Sequence, residues 1–390
     1  MVRTADAVVI GAGVNGASTA YNLVKAGMRK VVLLEKGLIA SGGTGRSAAI
    51  IRQHYSHPDL VRLVKRSVEI FHHFDDEVGG SPGFVNCGWA FLVPEYVSEG
   101  FSRNLEMQRS MGIDTREIDR RQLLEMEPRI DLNGVHRIAW EPGAGYADPH
   151  ATTAAYAGRF RDRGGRLLPL TPVEGLSVAG GKIAGVRTPL GEISTEVVVN
   201  AAGPWSGRVA AWAGVEAPIQ VTREEEILLE TAEVGGPPRL VFSDMAKAIY
   251  YRPHGSSRTL VGRGFPKEYQ QVDPDGYERS ADADFIRETH DRFLQRFPSF
   301  DKALAIEAYT GPYDVTPDWN PILGRVEGVE GFYMCAGFSG HGFKIAPGVG
   351  ELMAEEIVAG ETRTADISRF SLSRFRQGNL IGGAYGGNRA

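Results

Sequence analysis

The chain has 390 residues, 42% of them hydrophobic and 23% charged, enough to bury a sizeable core at a length typical of two or three domains. Lys and Arg number 43 against 48 Asp and Glu, a formal net charge of -5 with no basic stripe, which argues against a nucleic-acid partner. Cys87 and Cys335 fall outside any C-x-x-C spacing, no apolar run approaches the ~18 residues of a membrane span, and the start runs directly into a strand; the expectation is a reducing, cytoplasmic setting without disulfide frame, zinc site, signal peptide or membrane anchor.

In chain order, ADAVVIG, AGVNGASTAYNLVKAG and KVVLLEKG read as strand, helix and strand. The unbroken apolar run of both strands implies burial on two faces, as in a parallel βαβ unit. GAGVNG places Gly11, Gly13 and Gly16 after the first strand and at the mouth of the helix, with Val14 and Asn15 in its first turn. Gly11 permits the tight turn, Gly13 lets a pyrophosphate approach the helix N-terminus, and Gly16 lets helix and strand pack closely. Glu35, 24 positions after Gly11, ends the second strand and can accept hydrogen bonds from ribose hydroxyls, with Lys36 beside it. The chain then enters ASGGTGRSAAIIRQHYSHP rather than another βα unit. Its hydroxyls Ser41, Thr44 and Ser47, its Gly45 and its Arg46 suit a ribityl chain and pyrophosphate, so FAD is expected over NAD.

Pro58 opens a helix expected over 58 to 77, with Leu60, Leu63, Val64, Ile70, Phe71 and Phe74 on one face. Residues 86 to 146 change character, being aromatic and punctuated by Gly and Pro, with a polar helix near 98 to 112. Asp148 and Pro149 then cap a helix through HATTAAYAGRFRDRGG, followed by strands through RLLPLTPVEGLSVAG and KIAGVRTP and the run EVVVNAAGPWS. Residues 218 to 312 are β-rich at 225 to 230, 248 to 252 and 258 to 263, with a helix at 281 to 297. Glu224, Glu225 and Glu226 stand in a row on a strand, so at least one is expected to face water, and none is expected to be functional. His54, His57, His72 and His73 lack a carboxylate or Cys to complete a metal set and are expected on loops and helix surfaces. Near the C-terminus, GFSGHGFKIAPGVGE puts a small-residue loop with His341 and Lys344 between a strand and a helix expected to follow Pro347; residues 371–390 are expected to form a C-terminal tail, mobile over its Gly-rich end GNLIGGAYGGNRA from 378.

GAGVNG with Glu35, TGRSAAIIR at 44 to 52, NAAGPWS at 200 to 206, TPD at 316 to 318 and GFSGHGFKIAPGVGE at 337 to 351 together resemble the D-amino-acid-oxidase-like FAD oxidoreductases, most of all their sarcosine oxidase and dimethylglycine dehydrogenase branch. The resemblance implies an α/β fold in which a Rossmann-like, split FAD-binding domain (1–85, 147–217, 313–370) is interleaved with a β-sheet-rich, α+β substrate domain (86–146, 218–312). It implies that Arg52 and Lys344 clamp a substrate carboxylate, that Gly340 offers its backbone near the substrate amine, that Tyr313 and one of Tyr250 and Tyr251 face the substrate, and that His341 tunes polarity above the flavin. It further places Val173 at the adenine, Ala202, Gly203 and Trp205 at a second cofactor turn, and Gly342, Phe343 and Lys344 along the flavin edge. Positions that carry a covalent flavin link in such proteins correspond to Gly311 and Ser47 here, so FAD is expected to be non-covalent. The lysine associated with oxygen reactivity corresponds to Leu260, which leaves either O2 or an electron-carrier protein as the acceptor. The implied reaction is oxidation of a carboxylate-bearing amine, sarcosine-like or, in the alternative, glycine or a D-amino acid. A third reading is a flavin-binding subunit of an electron-transfer complex. Oligomeric state is not legible.

Overall fold

The computed structural model describes residues 2–265 and 267–382 as an α/β fold built on two large sheets. The first has six strands in the order Ile322–Arg325, Phe332–Ala336, Val198–Asn200, Ala7–Ile10, Val31–Leu34, Arg166–Leu168. All its neighbours run parallel except the first pair, which is antiparallel. The strands Ala7–Ile10 and Val31–Leu34 are buried along their whole length, as their unbroken apolar runs require. Ala7, Val9, Val31 and Leu33 face the helices Val14–Lys25 and Gly342–Ala359, while Val8, Ile10, Val32 and Leu34 face an antiparallel three-stranded sheet carrying Leu176, Ile183 and Ile193. Period-two alternation thus divides one hydrophobic run between two cores.

The second sheet has nine strands drawn from two distant stretches of sequence, Trp89–Glu141 and Gln220–Val315. The strand Gln220–Glu230 pairs with Arg258–Arg263 on one side and along its whole length with Leu304–Val315, the longest strand of the sheet, on the other. One face packs on the helix Ala283–Arg296 through Phe242, Tyr251, Phe293, Phe297 and Phe300. Each such ring is worth ~1.5–3 kcal/mol on full burial. The other face looks toward the first sheet's strand ends.

The helix expected over 58 to 77 breaks at His73 into Pro58–His72 and Phe74–Glu77. The C-terminal helix corrects a second expectation. It starts at Gly342, not after Pro347, and Pro347 lies inside it. A proline there has no N–H for the carbonyl one turn back and crowds it. The hydroxyl of Ser67, on the neighbouring helix, enters the break: it accepts from Gly348 N at 3.0 Å and donates to Ile345 O at 3.1 Å. The tail is corrected too. Residues 371–382 are anchored: Ser373–Gln377 is helical, Arg374 forms a buried ion pair with Asp318 at 2.8 Å, and Ile381 N donates to Asp318 at 3.1 Å. Residues 383–390 lie outside the described residues.

Candidate active site

The first strand ends at Gly11, whose φ of +103° suits a residue without Cβ, and the chain turns directly into the helix Val14–Lys25. At Gly16 a Cβ would overlap the Gly11 carbonyl, so strand and helix approach as closely as backbone allows. No side chain caps this helix at Gly13; instead Val14 N donates to Thr44 Oγ1 at 3.1 Å, bringing the hydroxyl-rich loop onto the helix end. Glu35 is locked by two backbone donors, Ala12 N at 2.8 Å and Gly37 N at 2.7 Å. Arg46 is spent on its own loop, donating to Ser41 O at 2.6 Å and Gly42 O at 3.0 Å.

These residues open on a cleft of about 710 Å³. Of the sequence-predicted cofactor residues, Gly11, Gly13, Val14, Asn15, Glu35, Lys36, Ser41, Thr44, Arg46, Ser47, Val173, Ala202, Gly203, Trp205, Gly340, Gly342 and Phe343 line it. Gly16 and Gly45 lie behind its wall, where Gly45 packs on the Ala40 carbonyl and the His150 ring. Lys344 lines the adjoining cavity instead. The cleft fits a dinucleotide in a second way: Asn15 donates to Gly342 O at 3.2 Å and leaves its buried Oδ1 without a partner at the wall. Sequence reasoning missed Asp275, which reaches across from the substrate sheet. It accepts from Lys36 at 2.9 Å and from Trp205 Nε1 at 2.8 Å, and pairs with Arg208. The hydrogen bond from Lys36, outweighing a smaller opposing effect of burial, holds its carboxyl down to about 2.

A second cavity of about 140 Å³ shares Ser47, Tyr313, Gly340 and Phe343 with the cleft. Arg52 and Lys344 meet there. Arg52 is 9% exposed, donates to His54 O, and lies 5.1 Å from the Tyr55 ring centre and 5.5 Å from that of Trp89. Lys344, in the first turn of its helix, is 7% exposed; burial, and then the Arg52 guanidinium, push its ammonium well below the ordinary lysine range. Among the described residues neither side chain has a carboxylate within ion-pair distance, so the cavity sets two buried basic groups side by side, and an anion bound between them would favour the charged form of both. His341 caps the same helix and is held neutral by burial and by these two cations, with Nδ1 at 3.2 Å from the Tyr55 hydroxyl. Gly340 has φ +84°, and a Cβ on it would overlap the Tyr313 ring. Beside it Ser339 holds a left-handed φ of +52°, and Ala49, on the opposite loop, one of +51°; both are costly for residues with a Cβ. Asp314 pins this loop by accepting from Gly337 N at 2.7 Å, its carboxyl pushed up to about 6 by burial.

Strand parity separates the paired tyrosines. Tyr250 faces the cavity and donates to Glu226 at 2.7 Å; Tyr251 points the other way into the aromatic core, stacked on Phe242 at 4.9 Å, and takes no part in the site. Glu225 keeps a partly exposed position, as expected of at least one of the three glutamates, but its two neighbours do not. Glu224 and Glu226 are both buried on the cavity side, Glu224 in an ion pair with Lys267 and Glu226 held by tyrosines. His54 lies on a loop, as expected, but is fully buried there against Trp89 and Phe91. Lys267 also lines the cavity, and no sequence signal distinguished it from a surface lysine.

A two-sheet α/β fold with a glycine-turn dinucleotide cleft opening on a small cationic cavity defines a flavoprotein oxidoreductase. The chain belongs to the family of FAD-dependent oxidoreductases, whose DAO family model matches residues 6–356. It is 30% identical to human mitochondrial dimethylglycine dehydrogenase over 375 residues, covering 92% of this chain and 43% of that protein. It is 27% identical to sarcosine oxidase subunit beta of Rhodobacter capsulatus, covering 96% and 90%. The fold superposes on L-proline dehydrogenase from P. horikoshii with a TM-score of 0.90 at 32% identity, covering 98% of this chain and 100% of that one. The chain spans less than half the length of the mitochondrial dimethylglycine dehydrogenases it matches. No helix among the described residues is long and apolar enough to cross a membrane.

Proposed function

We propose that this chain oxidises the C–N bond of a small amine that carries a carboxylate, a secondary N-methyl amino acid or a cyclic one in the manner of sarcosine or proline. The observation that carries the reading is the pair Arg52 and Lys344, two buried basic side chains with no carboxylate within ion-pair distance among the described residues, in a cavity joined to the flavin cleft. A forked guanidinium and a point-charge ammonium suit one carboxylate, and the cavity is smaller than the ~300–1,000 Å³ of drug-sized sites, matching an amino acid rather than a peptide. Trp89, Phe91, Phe265 and Tyr313 give the cavity its apolar walls. Binding against them and beside Arg52 and Lys344 would disfavour the ammonium form of the guest and so favour the neutral amine that can be oxidised. Catalysis by the chain is then positioning and charge placement.

FAD, held without a covalent link by Glu35, Ser41, Thr44, Val173, Ala202 and the loop at Gly340, supplies the acceptor for the hydride equivalent at its N5. The amides of Gly342 and Phe343, at the free N-terminus of an 18-residue helix, present positive potential to that end of the cleft. The released imine hydrolyses to an aldehyde or keto acid and a smaller amine, or, from a cyclic substrate, to one open-chain molecule that carries both carbonyl and amine. The final acceptor is O2 or an electron-carrier protein. The division assigns 1–85, 147–217 and 313–370 to the FAD-binding part and 86–146 and 218–312 to the substrate part, with the strand Leu304–Val315 crossing the last boundary. Subunit status in a larger complex is a second reading, favoured by the near-complete coverage of a protein named as a β subunit.

The test is an anaerobic panel of N-methylated, cyclic and primary amino acids with matched amines lacking the carboxylate, scored by bleaching of the yellow protein. Bleaching confined to carboxylate-bearing amines is expected. Bleaching by the amines alone, or none at all without a partner protein, overturns the reading.

A further inference from the structure

Four residues stand in one row across four adjacent strands. Glu226 is in register with Tyr309 on one side and Gly262 on the other, and Gly262 is in register with Tyr250. A Cβ on Gly262 would overlap the Tyr250 ring and hydroxyl. The glycine therefore leaves a gap over which Tyr250 reaches a residue two strands away. Its hydroxyl donates to one Glu226 oxygen at 2.7 Å, and the Tyr309 hydroxyl donates to the other at 2.5 Å. Glu226 is 5% exposed, and Tyr250 lines the cavity that holds Arg52 and Lys344. A buried carboxylate is a costly way to orient two phenols when a neutral amide could hold the same bonds. The feature asks for chemistry that a neutral group lacks.

We propose that Glu226, acting through Tyr250, accepts the proton that an ammonium substrate must lose before its amine can be oxidised. This rests on the amine-oxidising reading above. The substrate N–H bond breaks and its electron pair stays on nitrogen; the Tyr250 oxygen gains that proton as its own O–H proton passes to Glu226, which becomes a neutral carboxylic acid. Loss of a hydride from the neutral amine leaves an iminium cation, whose hydrolysis by one water yields the carbonyl and an ammonium. The proton held by Glu226 therefore leaves by the same route to solvent once the product has gone, and charge and atoms balance over the cycle. Tyr250 is suited to this because its O–H is committed to Glu226, which leaves its lone pairs to accept. Tyr309 steadies the carboxylate from the other side. Arg252, on the strand of Tyr250, and Lys267, paired with Glu224, supply positive charge to Glu226, while Tyr313 stands next to Tyr250 and Glu307 lies near Tyr309. Burial, the largest influence, raises the Glu226 carboxyl and makes it a better base near neutrality than an exposed one.

The experiment follows anaerobic bleaching of the holoenzyme by sarcosine and by L-proline from pH 5 to 10, in wild type, Glu226→Gln, Glu226→Asp and Tyr250→Phe. In wild type the rate should level off above a single ionisation. In Glu226→Gln and Tyr250→Phe it should be roughly 10²-fold lower at pH 7 and climb with pH as neutral amine appears in solution, and Glu226→Asp should recover the plateau in part. A second readout needs no turnover: with the carboxylate gone, a tyrosine of Glu226→Gln should ionise at lower pH in an ultraviolet difference titration. A Gln variant that binds FAD normally and keeps the wild-type profile overturns the relay and leaves amine oxidation standing. A wild type inert to every carboxylate-bearing amine removes both.

Discussion

Replacing Lys344 by Met separates what the cavity costs the fold from what it does for a substrate. The side chain is 7% exposed, and with Arg52 the nearest charge its ammonium titrates well below an ordinary lysine. For a base whose folded-state pKa is depressed, the folded state disfavours the proton. The penalty is full below the folded value, shrinks as pH rises toward the ~10.4 of an unfolded lysine, and is gone above it. Met keeps the stem's packing and removes the charge. Swaps of buried ionic groups for apolar ones are neutral or stabilising by ~1–4 kcal/mol. With an unfolding entropy of ~2.1 cal/mol/K per residue, each kcal/mol moves the Tm of a chain this long by on the order of 1 °C. Lys344→Met should therefore melt level with wild type or up to about 4 °C higher near pH 7, and the gap should close at high pH. Against this, the lost charge-assisted bond to a carboxylate should cost ~2–5 kcal/mol in kcat/KM, roughly 30- to 5,000-fold. The assays are calorimetry of the FAD-loaded protein at two pH values and steady-state kinetics on sarcosine and a matched amine without a carboxylate. A variant that melts well below wild type and loses equally on both amines would refute the picture of an uncompensated cation waiting for an anion.

Arg52→Ala should likewise cripple a carboxylate-bearing amine by ~2–5 kcal/mol and spare the matched amine, as relative kcat/KM values would show; equal losses on both would falsify the clamp. Acid precipitation should leave a colourless pellet and a yellow supernatant, because Gly311 and Ser47 offer no thiol or imidazole for a covalent link; colour in the pellet contradicts this. The bleached enzyme should regain its colour more slowly in air-saturated buffer than with a dye acceptor. Leu260 is an apolar, buried strand residue, Lys267 is neutralised by Glu224, and Lys344 is taken by the bound carboxylate. Recovery in air as fast as turnover would mark a true oxidase.

The dinucleotide site was legible before any coordinates because its determinants are local. A strand's apolar run, a glycine turn and a helix start lie within a few residues of one another, and Glu35 follows one helix later. The same holds for the helix at Asp148, whose side chain accepts from His150 N and Ala151 N at 2.8 and 2.9 Å. Pro347 misled because the hydroxyl that completes its helix comes from Ser67, 281 positions away in the chain from the amide it accepts. Tyr250 and Tyr251 could not be told apart because their strand is buried on both faces: an aromatic is at home on either, and only pairing with Arg258–Arg263 decides which one meets the cavity. The burial of Glu224 and Glu226 was not legible because a buried carboxylate needs partners. Those partners, Lys267 for Glu224 and Tyr250 and Tyr309 for Glu226, lie between 24 and 83 positions away. Asp275 and His54 belong to the same class. By itself the sequence determined what nearest neighbours along the chain decide: the turns, the caps, the periodic faces and hence the dinucleotide cleft. Tertiary structure alone decided which charges are buried, which are paired and which are left over, since charge burial is an energy set by strand register and by contacts across hundreds of residues.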